Sequence, residues 1–245
     1  MFQFFVEPGA VGEKEITITG SDVNHIKNVL RMKVGTPLRI SNREDKDYIC
    51  HISELKDDEI ILAIDSEDTR GTELTSEVVL FQALPKGDKM ETVIQKNVEL
   101  GIKRIVPVKT KRCIVKLDDK KAVSKVARWQ KIAEAAAKQS KRMIIPEVAS
   151  VMDFGEAVKM AAALDHFIFP YENEEGIEKT RHIVDNIKPG ESVGIFIGPE
   201  GGFEESEVEA ARAAGAHVIS MGKRILRTET AGMALAAVLM FKLEE

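Results

Sequence analysis

Cysteine is nearly absent from this sequence. Only Cys50 and Cys113 occur, far apart and without CxxC spacing, so neither a disulfide framework nor a thiolate zinc site is expected. Both read as reduced thiols of an intracellular, cytoplasmic protein. The five histidines are scattered and no HExxH occurs, which argues against a bound metal. No apolar run reaches the ~18 residues of a membrane-spanning helix. The opening stretch, "MFQFFVEPGA", lacks a basic segment followed by a long apolar one, so no secretory signal is expected. Low-complexity tracts, internal repeats and the phosphate-cradling patterns GxGxxG and GxxxxGK[ST] are missing too.

What is present is the composition of a soluble globular protein, 44% apolar and 31% charged. With 245 residues the chain can form one large domain or two modest ones. The net charge of −5 argues by itself against a polyanionic partner, but the distribution points the other way. Residues 86–142 carry 17 Lys/Arg against 6 Asp/Glu, whereas 1–70 carry 9 against 14 and 143–245 carry 9 against 18. This suggests a basic surface on an acidic body; a solvated face with no partner is the bland alternative.

Residues 1–70 read as a small β-rich domain with one helix. "SDVNHIKNVL" offers Ser21 as N-cap and an apolar stripe at Val23, Ile26, Val29 and Leu30. The runs "PLRIS", "DYICHIS" and "EIILAID" follow as strands. The polar "SEDTRGTELT" (66–75) marks a boundary, and a second domain spans 74–245. There, strand-like runs ("EVVLFQAL", "RIVPVKT", "HFIFP", "SVGIFIG", "HVISMG") alternate with helical patterns. That rhythm predicts an α/β fold on a mostly parallel sheet. Gly101 and Gly215 sit where left-handed C-terminal caps belong.

One helix, "KAVSKVARWQKIAEAAAKQSKRM", gathers Val126, Trp129, Ile132, Ala133, Ala136 and Ala137 on one arc. Arg128, Lys131, Lys138 and Arg142 cluster on another, with Glu134 the one carboxylate in the run. The first arc is core; the second is read as a phosphate-contacting stripe in preference to a solvated face.

Two junctions carry the strongest chemical signal. In "SVGIFIGPEGGFEESEVEAARAAG" a strand runs through a glycine-rich turn into a helix. Glu200 would repel a pyrophosphate, but Gly198, Gly201 and Gly202 permit a ligand to approach the backbone closely. Carboxyl ends of strands in open α/β sheets are where ligands bind. The alternative is a tight turn capped by acidic residues. In "MGKRILRTETAG" the groups Arg224, Arg227, Thr228, Glu229 and Thr230 crowd between two apolar segments. Thr228 can cap the terminal helix, whose apolar stripe is expected at Met233, Ala234, Ala237, Val238 and Phe241. Arg227 and Glu229 are left over, and charges are costly to bury unless they are paired or bind something.

Five segments together resemble a known family: "HIKNVLRMKVG", "LPKGDKMETVIQKNVELGI", "RWQKIAEAAAKQSKR", "IGPEGGFEESE" and "MGKRILRTETA". The chain resembles, over essentially its whole length, the RsmE family of SPOUT-class RNA methyltransferases, which methylate N3 of a uridine in small-subunit (16S) ribosomal RNA. The resemblance implies an N-terminal PUA-like β-barrel for RNA binding, an α/β domain with a C-terminal trefoil knot, and a homodimer. It implies S-adenosylmethionine as cofactor and no metal. Carried onto this sequence, Phe169, Pro170, Ile197, Gly198, Glu200, Gly201 and Gly202 line one side of the cofactor. Met221, Gly222, Ile225, Leu226, Arg227 and Thr228 line the other. Arg227 becomes the candidate for holding the uracil or its developing negative charge, with Glu229 orienting it or acting as base. RNA contacts are expected from His25, Arg31, Lys86, Lys89, Arg112, Arg128, Lys138 and Arg142. The family pattern leads one to expect an arginine near the N-terminus, where this sequence has Gln3. A ribose 2′-O-methyltransferase of the same fold and a non-catalytic RNA-binding assembly factor are the alternative readings.

Overall fold

The computed structural model describes residues 1–44, 46–68 and 71–244. It resolves two compact units, one of Met1–Glu73 with Ala137–Ile145, the other of Leu74–Ala136 with Pro146–Glu245. The expected domain end at residue 70 lies outside the described residues.

The first unit is a five-stranded sheet of β1 (Phe2–Phe5), β2 (Glu15–Thr19), β3 (Pro37–Ser41), β4 (Asp47–Leu55) and β5 (Glu59–Asp68), ordered β1-β3-β4-β5-β2. The β1–β3 pair is parallel and the others are antiparallel. Along β2 and β4 buried and more exposed residues alternate, as a sheet with one wet face requires. Register shifts at Ile49/Cys50 and Ile52/Glu54 bend the β4–β5 pair, and the sheet curls round one core that includes Ile16, Leu38, Cys50 and Leu62.

The expected helix at 21–30 is shorter and less regular. Helix α1 (Ser21–Asn24) continues as a π-helical turn, His25–Val29, and its N-cap is Gly20 at φ +73°, not Ser21. Val23 and Ile26 are buried, but Val29 is 64% exposed, because the π turn rotates it off the core face.

The second unit contains, in order, β6 (Val78–Ala83), α2 (Lys89–Glu99), β7 (Arg104–Lys109), α3 (Asp119–Ser140), β8 (Glu147–Val148), β9 (Met152–Asp153), α4 (Phe154–Ala161), β10 (His166–Pro170), α5 (Ile177–Asn186), β11 (Val193–Ile197), α6 (Glu205–Ala213), β12 (His217–Ile219) and α7 (Thr228–Leu243). The last four residues of α3 belong to the first unit. The sheet order is β12-β10-β11-β6-β7-β8, with β9 also on β7 and every pairing parallel. Strands β6 and β11 are buried at every residue, so they read as continuous apolar runs.

Gly101 and Gly215 end α2 and α6 in the left-handed region, at φ +89° and +94°. After α2, Gly101 N–H donates to Val98 O and Ile102 N–H to Asn97 O; Gly215 and Ala216 repeat the pattern after α6. Phenylalanine is concentrated: Phe81, Phe154, Phe167, Phe169, Phe196 and Phe203 pack ring against ring, Phe81 and Phe196 stacked and the others edge-on or tilted, with Phe169 and Phe203 centroids 4.3 Å apart.

Helix α7 departs from its expected facing. The face it buries carries Leu235, Ala236, Leu239 and Leu243. The expected stripe is the opposite one: Val238 is 51% and Phe241 85% exposed. The helix is apolar all round, and periodicity cannot select a face when both qualify.

Candidate functional site

Parallel pairing puts the carboxyl ends of β11, β10 and β12 side by side, with Pro170 in register with Ile219. The loops leaving these strands enclose a cleft of about 560 Å³, in the range of small-molecule sites. Its walls are the glycine turn after β11 and the loop from Ser220 to Thr228; Pro170, Tyr171 and Glu172 close a third side.

The turn is built on glycine for steric reasons. A Cβ on Gly198 would stand 3.0 Å from the Phe203 ring, which is itself locked in the aromatic core. Gly202 has φ +67°, and a Cβ there would come 2.2 Å from a Glu172 carboxylate oxygen. Opposite, Gly222 turns at φ +99° with open space around it. Both walls therefore present main chain to the cleft.

Thr228 joins the walls. Its hydroxyl donates to Gly198 O at 2.6 Å and accepts from Gln82 Nε2 at 2.9 Å. This corrects the expected role: the N-cap of α7 is Arg227, and Thr228 is the buried first residue of the helix. A hydroxyl satisfied across the cleft is unavailable to its own helix.

Glu200 leaves the turn away from the helix that follows. It accepts from Lys86 N–H at 3.1 Å and from Lys89 Nζ at 2.8 Å. Burial acts to raise its pKa, but the bonds from Lys89 and from main-chain N–H groups outweigh burial and hold the carboxyl below the usual range. The other acids cap α6: Glu204 and Glu207 form a capping box, and buried Glu207 also accepts from Lys111 N–H.

The residues expected at the cofactor fall on the cleft with one exception. Pro170, Ile197, Gly198, Glu200, Gly201, Gly202, Met221, Gly222, Ile225, Leu226, Arg227 and Thr228 all line it. Phe169 does not: fully buried in the aromatic core, it backs Phe203 while its neighbour Pro170 reaches the wall. Ile225 is 89% exposed, at the mouth. Sequence reasoning missed Tyr171, Glu172, Phe203 and Lys223, which line the cleft without belonging to a glycine pattern.

Arg227 is exposed at the N-cap of α7, and the mouth beside it carries Lys223 and Arg224, also exposed. Glu229 does not orient Arg227. Its carboxylate, 17% exposed, faces Lys89 Nζ at 3.4 Å, because the first turn of α7 directs it toward the start of α2.

The expected RNA contacts divide. Arg112 donates to Gly201 O at 3.0 Å, so Lys86, Lys89 and Arg112 all meet at the glycine turn. Arg128 is exposed and pairs with Glu91 at 2.6 Å. In the first unit His25 and Arg31 are exposed, Arg31 at φ +52°, and Lys138 lies 3.5 Å from Asp22 and over the Phe4 ring. Arg142 is a correction. It is 3% exposed, its guanidinium is held by Glu73, and its carbonyl accepts from buried Gln3. A side chain that closes a buried ion pair cannot also reach a phosphate.

Among the described residues no three His, Cys, Asp or Glu side chains are placed to hold a metal, and no helix is long and apolar enough to cross a membrane.

Comparison with known proteins shows the family. Residues 72–240 match a family described as RNA methyltransferase domain, and 18–65 match one described as RNA methyltransferase PUA domain. The chain is 38% identical over 226 residues, 91% of its length and 88% of the relative's, to the Bacillus subtilis protein named ribosomal RNA small subunit methyltransferase E. It is similar to the solved structure of the protein of that name from Neisseria gonorrhoeae bound to S-adenosyl methionine, with TM-score 0.86, 30% identity and coverage of 99% and 98%. A Legionella pneumophila methyltransferase solved with the same cofactor gives TM-score 0.86, 30% identity and coverage of 98% and 97%.

Proposed function

Because the chain belongs to the RNA methyltransferase family that includes the ribosomal RNA small subunit methyltransferase E proteins, we propose that its cleft binds S-adenosylmethionine and methylates N3 of a uridine in small-subunit ribosomal RNA. The chain is an S-adenosylmethionine-dependent ribosomal RNA methyltransferase; the uridine N3 specificity and the residue roles are our reading. The N3 specificity rests on the family; the observation that carries the cofactor-site roles is the pair of glycine-bearing walls, where a Cβ at Gly198 would strike Phe203, joined by Thr228 beneath a mouth of exposed cations.

When bound, S-adenosylmethionine supplies an electrophilic methyl group on a sulfonium. Main-chain groups of Gly198, Gly201, Gly202, Met221 and Gly222 would hold it, and Ile225 and Leu226 would give apolar contact to its adenine. Holding donor and base in line supplies much of the rate. Loss of the N3 proton to solvent leaves an anion whose charge spreads onto the uracil oxygens; that charge would be consumed as N3 takes the methyl group and the donor's S–CH3 bond breaks, releasing a neutral thioether. Arg227 lines the cleft with no ion pair among the described residues, which supports its role in holding that charge. Lys223 and Arg224 steer the polyanion to the mouth.

The protein works as a homodimer in the cytoplasm, with a trefoil knot in the second unit. The exposed apolar face of α7, Val238 and Phe241 above all, supports the dimer, since such a face in one chain calls for a covering partner.

The test uses small ribosomal subunits from a strain lacking this protein. Wild type transfers one methyl group, which mass spectrometry places on a uridine base nitrogen, and Arg227→Ala loses about 10²–10³-fold in turnover. A methyl on a ribose oxygen selects the 2′-O reading. No calorimetric binding of the donor selects the assembly-factor reading, and wild-type turnover by Arg227→Ala removes the role given to that residue.

A further inference from the structure

Lys89 breaks a local rule. It is the first residue of α2, where the helix dipole disfavours a cation, and its N-cap Asp88 makes no side-chain capping bond. Two carboxylates from distant parts of the sequence compensate. Glu200, in the glycine turn, lies 2.8 Å from Lys89 Nζ, and Glu229, in the first turn of α7, lies 3.4 Å from it. Without the ammonium the two acids would face each other unscreened. Oε2 of Glu229 is buried and has no hydrogen-bond partner among the described residues, so Lys89 is the cation beside it. Glu200 lines one wall of the cleft just after Pro199, and Glu229, in the first turn of α7, directly follows Thr228, where the other wall ends.

We propose that Lys89 is a positioning residue, an ionic clamp that sets the spacing of the two cofactor-binding walls, and not a contact to RNA. Two carboxylates occupy its ammonium, whereas a phosphate contact needs a cation free to exchange its counterion. The clamp does not open near neutral pH. The bond to Glu200 raises the Lys89 pKa, and that of Glu200 is lowered, so both ends stay charged. Lys89 thus works alongside Thr228: the hydroxyl ties the backbone of one wall to the start of α7, and the ammonium ties their side chains.

The inference rests on the cofactor reading above, and its test separates the two. In donor-free protein, amide hydrogen exchange at residues 198–202 and 228–231 is compared between wild type and Lys89→Met. The clamp predicts exchange at least about tenfold faster in the variant. By calorimetry, Lys89→Met binds S-adenosylmethionine about tenfold more weakly, Lys89→Arg recovers most of the loss, and adding Glu200→Gln to Lys89→Met causes little further loss, as coupled partners require. The dependence of subunit binding on salt keeps its wild-type slope. Unchanged exchange in a variant that melts like wild type overturns the clamp, as does a slope shallower by about one, the signature of a lost phosphate contact. If wild type binds no donor, the cofactor reading fails, and the exchange comparison still judges the clamp.

Discussion

The hydroxyl of Thr228 donates to the carbonyl oxygen of Gly198, 2.6 Å away and 30 residues back in the chain. One hydrogen bond thereby fixes the entry of the last helix against the turn that follows β11.

Replacing Thr228 by Val removes that donor while keeping the shape. It leaves Gly198 O and one bond from Gln82 unmade in a buried place, a cost of about 1–3 kcal/mol. We expect Thr228→Val to unfold at lower denaturant and to bind the methyl donor more weakly, and Thr228→Ser to restore both. Equal donor affinity for wild type and Thr228→Val would show that the two walls hold their spacing without this bond.

Arg142 and Glu73 form an ion pair with the arginine almost wholly buried. Removing one partner leaves the other charge uncompensated, so Arg142→Met should destabilise by about 3–5 kcal/mol in denaturant titration. The salt dependence of RNA binding should not change. A variant with wild-type stability and a shallower salt slope would return Arg142 to the RNA-contacting set.

The two thiols should differ in reactivity. Cys50 lies fully buried in the core of the first unit, and burial, with the nearby Asp65 charge adding to it, pushes its pKa up to about 12. Cys113 is partly exposed. Iodoacetamide at pH about 8 should label Cys113 alone in native protein and both cysteines in denaturant. Labelling of Cys50 under native conditions would contradict its place in the core.

Glu200 gives a pH dependence of definite sign. Its folded pKa lies below the ordinary carboxylate value of 4.5, so the unfolded chain takes up the proton first as pH falls. The stabilisation it provides is complete above that value and disappears as pH drops through the folded pKa. Thermal melting from pH 7 down to about 3 should show a shallower acid slope in Glu200→Gln than in wild type. Parallel slopes would mean that the carboxylate gains nothing from Lys89 and the neighbouring N–H groups.

Much of the fold was legible because its signals are local. The runs that became β3 to β7 and β10 to β12 are apolar and β-branched, and Gly101 and Gly215 marked helix ends through a conformation that glycine adopts cheaply. Strands β1 and β2 escaped notice because "FQFF" and "EITIT" are only 4 and 5 residues long. The cleft was legible for its glycines, which are local requirements, but not for Tyr171 or Glu172, which reach it only because β10 lies between β11 and β12. Phe169 was assigned to the wall with Pro170 from the family resemblance, but in a strand adjacent side chains point to opposite faces, and only Pro170 reaches the cleft.

The sequence by itself determined the alternation of strands and helices, the two glycine-bearing junctions and the charged groups placed at them, since each depends on residue type and spacing along a few turns of chain. Only the tertiary structure decided which charge meets which. Lys89 faces Glu200 and Glu229, Arg142 is enclosed by Glu73, and Arg227 stands without an ion pair among the described residues. The physical reason is that an ion pair is set by distance in space, and parallel strand order brings together residues more than a hundred positions apart.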